Sequence, residues 1–106
     1  MPTPHRVSPG VKRTLIKLGR DLREARLRRR LSAEIVAERA GTSRPTLRRV
    51  EEGNPGVSMG VYASVIQAVG LLSNLGEIAD ISKDEVGRAL IGEQLTPRRA
   101  PRKSSL

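Results

Sequence analysis

The 106-residue chain has no cysteine, no phenylalanine and no tryptophan, and Tyr62 is its one aromatic residue. Without cysteine there is no disulfide, no zinc finger and no thiol nucleophile. His5 is the one histidine, in a proline-rich start. No carboxylate pair has metal-ligand spacing, and no GxxxxGK[ST] cradles a phosphate. The chain therefore reads as a non-enzyme with no catalytic residues, no cofactor and no metal. GNPGVSMG is glycine-rich but matches no cofactor fingerprint, and reads as a turn between helices. No run approaches the ~18 apolar residues of a membrane span. MPTPHRVSPG lacks the apolar core of a secretory signal. A cytoplasmic, soluble chain with no membrane partner is expected. With alternating aromatic and β-branched residues nearly absent, Leu, Ile, Val and Ala must build the core, which favours an all-α domain.

What the chain has is positive charge, unevenly spread. Residues 1–53 carry 14 basic against 6 acidic side chains, residues 54–96 carry 2 against 5, and residues 97–106 carry 4 against none. Arginine far outnumbers lysine, and its planar fork suits phosphates and guanine edges. A basic half of this kind points to a polyanionic partner, nucleic acid above all. Single strands are disfavoured, because base stacking needs aromatic platforms.

Residues 1–10, with three prolines and a glycine, read as a flexible arm, and His5 and Arg6 on it could enter a minor groove. Val11, Leu15, Leu18, Leu22 and Ala25 then share one helical face, which predicts a first helix over 11–30 with Arg20, Arg23, Arg28, Arg29 and Arg30 on its wet sides. Ser32 caps a second helix over 33–40, although Ile35 stands where a capping box wants Glu or Gln. Gly41 ends it. Ser43 caps a third helix with Pro45 in its first turn, and Gly53 closes that one. Ser58 caps a fourth, with Val61, Val65, Ile66 and Val69 facing in and the Tyr62 hydroxyl at the surface. A fifth helix is expected over 72–80 and a short sixth over 84–92. The remainder, TPRRAPRKSSL, reads as a disordered tail. This organisation gives an arm (1–10), a DNA-binding domain (11–80) and a C-terminal extension (81–106).

The stretch AEIVAERAGTSRPTLRRVEEG, Ala33 to Gly53, carries the function. Ala37 is small enough to let the third helix cross the second closely, and Gly41 permits a turn with φ > 0. Leu47 and Val50 fold the third helix back onto Val36 and Ala40. This is the arrangement of a helix-turn-helix, which holds one helix proud of the domain. Arg44, Pro45, Thr46, Arg48 and Arg49 are then left at the front or on the flanks of that helix, where base edges in the major groove are read. Arg44 and Arg49 suit bidentate contact with guanine N7 and O6, and Pro45 and Thr46 suit a thymine methyl. Arg48 suits a phosphate, and Thr42 and Ser43 offer hydroxyls or amides to the backbone.

LSAEIVAERAGTSRPTLRRVEEG resembles the helix-turn-helix core of the XRE (Cro/C1-type, lambda-repressor-like) family. The likeness falls on Ser32, Val36-Ala37, Gly41, Ser43, Leu47 and Glu51-Glu52-Gly53, and spans roughly residues 15–70. It implies a five-helix domain, here with one short extra C-terminal helix, that forms a homodimer on double-stranded DNA with an inverted-repeat operator. It also implies that Glu51 pairs with a basic residue of the first helix, which the register makes Arg26. Relatives often carry a phosphate-binding Gln where this chain has Ala33, so that contact is lost or passes to Arg28, Arg29 and Arg30. Pro45 is also unusual at a reading position. Residues 53–90, through Pro55-Gly56-Val57-Ser58, Gly60-Val61-Tyr62 and Asp84-x-x-Gly87-x-Ala89-Leu90, resemble the HipB-like antitoxin branch. That likeness implies an autoregulated operon and a HipA-like kinase toxin as partner. A stand-alone XRE-family regulator with no toxin partner is the alternative.

Overall fold

The computed structural model describes residues 6–94. Residues 1–5 of the expected arm and the basic tail lie outside them. The described residues are all-helical: α1 (Pro9–Arg28), α2 (Ala33–Arg39), α3 (Arg44–Glu51), α4 (Met59–Ala68), α5 (Leu72–Gly76), a 3-10 turn (Ile81–Lys83) and α6 (Glu85–Gln94). The chain divides into two compact units, Met1–Leu75 and Gly76–Leu106.

The boundaries differ from the sequence expectation by a residue or two at α2, which stops at Arg39, and at α6, which runs from Glu85 to Gln94, and more tellingly in three places. α1 starts at Pro9, inside the expected arm, because the Ser8 hydroxyl accepts the amide of Val11 and Pro9 suits a first turn. α1 also ends two residues early. Arg30, at φ 55°, takes the left-handed position, with its amide on the Leu27 carbonyl and the next amide, of Leu31, on that of Arg26. The fifth helix stops at Gly76 rather than residue 80, and a separate 3-10 turn capped by Asp80 follows.

In the first unit α3 packs on α1, α2 and α4, and α2 also packs on α4. Leu22, Ala25, Val36, Ala37, Leu47, Val50, Tyr62, Val65, Ile66 and Val69 form one buried cluster. Each fully buried aliphatic side chain contributes roughly 1.5–3 kcal/mol. Val11, at the start of the expected α1 face, is instead half exposed, because on α1 the packed face begins only with Leu18 and the buried core with Leu22.

Two contacts fix where α3 ends against α1. The first is a backbone crossing. A Cβ added to Gly19 would stand 2.6 Å from the Gly53 amide nitrogen and 2.7 Å from the Glu51 carbonyl oxygen, and one added to Gly53 would strike the main chain of Leu15 and Ile16. Only paired glycines allow this approach. The second is an ion pair, with Arg26 Nε 2.7 Å from Glu51 Oε2 and Arg26 Nη2 3.1 Å from Glu51 Oε1. Both side chains are nine-tenths buried. Arg26 Nη1 also donates to the Leu31 carbonyl at 3.2 Å. One guanidinium thus joins α1, the turn after it and the end of α3. Glu51 and its hydrogen bond hold the Arg26 guanidinium above its ordinary pKa, against the opposing pull of burial.

These contacts set stability. In an ordinary helix interior Gly→Ala stabilises by about 1 kcal/mol. At Gly19 it is expected to destabilise instead, by about 1–3 kcal/mol in guanidinium unfolding, because three main-chain atoms must part. Gly41→Ala meets no atom within 4 Å, so its expected cost of about 1–2 kcal/mol comes from φ +67° alone. Glu51→Ala should cost about 3 kcal/mol by stranding a buried cation, while Arg26→Met combined with Glu51→Leu should cost far less. Equal losses for the single and double variants would contradict a desolvated pair.

Candidate nucleic-acid interface

The turn between α2 and α3 is built by local hydrogen bonds. The Gly41 amide donates to the Glu38 carbonyl and the Thr42 amide to that of Ala37, which closes α2 around the left-handed glycine. The Ser43 hydroxyl oxygen accepts the Thr46 amide at 3.2 Å and donates to Thr46 Oγ1 at 3.0 Å. Ser43 is therefore a cap whose hydroxyl is already engaged. Thr42 and Thr46 are half-buried.

With Leu47 and Val50 wholly inside, the helical advance of about 100° per residue puts Pro45 at the centre of the outer face, with Arg48 and Arg49 about 50° to either side of it. Arg44 lies beyond Arg48 and Thr46 beyond Arg49. Among the described residues, the guanidinium groups of Arg44 and Arg49 have no ion-pair or hydrogen-bond partner in the protein. Arg48 does, with Nε 3.3 Å from Glu52 Oε2, but both side chains are mostly exposed and such a pair is weak. The structure thus gathers Arg44, Pro45, Arg48 and Arg49 on one exposed surface.

The three arginines after α1 are less alike than their sequence suggests. All are exposed, but Arg29 Nη1 donates back to the Ala25 carbonyl at 3.0 Å and Arg30 is the left-handed residue of the turn. Only Arg28 has neither constraint.

Beside Arg49 lies a groove of about 430 Å³ lined by Thr46, Arg49, Asn54, Gly56, Val57, Ser58 and Val61. Its far wall is the loop from α3 to α4, which is firmly held. Asn54 Oδ1 accepts the Gly56 amide at 2.6 Å, the Asn54 amide donates to the Arg49 carbonyl, and Ser58 caps α4 through the Val61 amide. The Tyr62 hydroxyl, expected at the surface, is instead turned inward and donates to the Asn54 carbonyl at 2.8 Å. The reason is that the ring fills the core and the loop passes directly above it. Proline and glycine in GNPG signal a turn, but nothing in the sequence says that a tyrosine eight residues on will pin it.

Burial pushes the Tyr62 phenol above its ordinary pKa. A raised folded-state value means stability is complete below the unfolded value near pH ~10 and declines as pH rises beyond it. Tyr62→Phe is expected to cost about 1 kcal/mol at neutral pH. The gap to the parent should narrow in urea unfolding above pH ~10. A gap independent of pH would place the hydroxyl in water.

The fold agrees with what the comparisons find. The family model described as a helix-turn-helix domain matches residues 17–75, more than half of the chain. No curated protein and no solved structure gives a significant match. The matched residues take in most of α1, the Arg26–Glu51 tie, the turn at Gly41, all of α2, α3 and α4, and α5 up to Leu75, so the chain belongs to the helix-turn-helix domain family.

Proposed function

We propose that the protein is a sequence-specific repressor that binds double-stranded DNA as a homodimer, with the outer face of α3 in the major groove. The observation that carries this is the outer face itself. Two arginines without partners, Arg44 and Arg49, stand beside Pro45 on a helix whose far end is locked by a buried ion pair. A rigid helix with free bidentate donors is what base reading requires. Arg44, Pro45, Thr46 and Arg49 take the base edges. Arg48 and Arg28 take phosphates, together with the Thr42–Ser43 turn and, to a lesser degree, Arg29 and Arg30. A dimer would read an inverted repeat with half-sites about 34–36 Å apart.

The likeness of residues 53–90 to HipB-like antitoxins extends this to a chain that represses its own operon and restrains a HipA-like kinase. Co-purification with a kinase encoded beside it supports that extension. Its failure leaves a stand-alone regulator.

The interface is tested on a duplex selected from random sequence. Arg44→Ala and Arg49→Ala should each cost about 1–3 kcal/mol and relax the preference at one base pair. Arg48→Ala should weaken all sequences alike and lower the salt slope by about 1. Unchanged affinity and preference in both Arg44→Ala and Arg49→Ala would remove α3 from the interface.

A further inference from the structure

The C-terminal unit poses a physical problem of its own. Residues 76–94 hold Ile78, Ile81, Val86, Leu90 and Ile91, and every one is about half exposed or more. No residue of the 3-10 turn or of α6 from Glu85 to Glu93 is buried. Yet the segment is locally well ordered. Asp80 Oδ1 accepts the Ser82 amide at 2.8 Å, Asp84 Oδ1 accepts the Gly87 amide at 2.9 Å, and Arg88 Nη1 donates to the Ser82 carbonyl. A ten-residue helix is marginal in water unless its apolar face is covered. On α6, Glu85, Ala89 and Glu93 form one row, and Val86 and Leu90 the adjacent row. Glu85 and Glu93 have no ion-pair partner among the described residues, and the 76–94 segment carries 5 acidic against 2 basic side chains.

The opposite pattern lies along α1. Arg13, Ile16, Arg20, Arg23 and Leu27 recur at spacings of 3 and 4, on the side of α1 turned away from Leu22 and Ala25. All five are exposed, with Ile16 at 46% and Leu27 at 47%. Glu24 sits at the edge of this stripe. Among the described residues the three arginines have no ion-pair partner, and the proposed DNA surface uses none of them. The spacings match. Arg13 and Arg20 lie about 10 Å apart along the axis, and Glu85 and Glu93 about 12 Å apart.

We propose that α6 of one copy docks on the outer face of α1 of a second copy, and reciprocally, so that two α1–α6 contacts hold the homodimer. Val86 and Leu90 cover Ile16, and Glu85 and Glu93 meet Arg13 and Arg20 on either side of it. Charge decides against the simpler pairing of α6 with α6, which would bring two acidic faces together. A reciprocal contact is isologous, so the dimer closes on itself. This inference rests on the dimeric repressor proposed above and names its interface.

The test is charge reversal in the full chain, read by sedimentation velocity without DNA. Arg13→Glu with Arg20→Glu should weaken dimerisation by roughly tenfold or more, and so should Glu85→Arg with Glu93→Arg, since each places like charges face to face. Mixed one to one, the two variants should restore the dimer, because each hybrid contact is again Glu against Arg. All four residues are exposed, so circular dichroism and thermal unfolding should stay unchanged. A parent that dimerises with both variants still dimeric overturns the interface but leaves the dimer. A monomeric parent overturns the dimer as well. Binding of a single DNA half-site by the charge-reversed chains is read separately and should be kept, since α3 is untouched; its loss in the Arg13→Glu, Arg20→Glu chain would make those arginines DNA contacts and overturn this surface.

Discussion

The structure depends on a single junction, where the end of α3 meets the middle of α1. Gly19 and Gly53 let two backbones touch, and Arg26 and Glu51 close a two-pronged ion pair about two turns further along α1. A third hydrogen bond from Arg26 draws in the turn before α2. The chain has no large aromatic residue except Tyr62, so it cannot fill space with bulk. It instead brings main chain close to main chain and places a charge pair where the core is thin. The pair need not add much net stability, because desolvation offsets most of its attraction. Its consequence is positional, since α3 has one permitted angle and Arg44 and Arg49 one permitted outlook.

From that junction the interface follows. Leu47 and Val50 take the inner side of α3, which leaves Pro45 centred on the outer side with Arg48 and Arg49 on either flank of it. Pro45 adds no hydrogen-bonding side chain, but it fixes φ where the helix begins and limits fraying at the end offered to DNA. The loop beyond α3 is pinned by Tyr62 through Asn54, so the groove beside Arg49 has one soft wall, the arginine, and one firm wall, the loop. Sequence-specific contact benefits from this, because an ordered surface loses less conformational freedom on binding.

The all-helical class, the caps at Ser32, Ser43 and Ser58, and the left-handed glycines at 41 and 53 were legible in the sequence, because each is local chemistry. Leu47 and Val50 were legible because a short helix with two apolar residues three apart has one way to face. Gly19 was not singled out. A glycine inside a strong helical pattern is a local cost, and only the partner backbone 34 residues away explains it. Arg30 in the left-handed region carried no signal, since the position normally favours glycine or asparagine. The Tyr62 hydroxyl was misjudged for a similar reason: its acceptor is a main-chain carbonyl, which no side-chain pattern reveals. Arg28, Arg29 and Arg30 looked equivalent as letters and differ only once the end of α1 is drawn.

The central claim is that the outer face of α3 reads a specific duplex. It is tested most directly by DNase footprinting of the purified chain on the DNA upstream of its own gene, at ~150 mM salt, where nonspecific phosphate binding is weak. The account predicts a protected inverted repeat with half-sites one helical turn apart, lost when Arg44 and Arg49 are both replaced by alanine. Protection that is absent there, together with binding that only fades as salt rises and is indifferent to those two arginines, would contradict it.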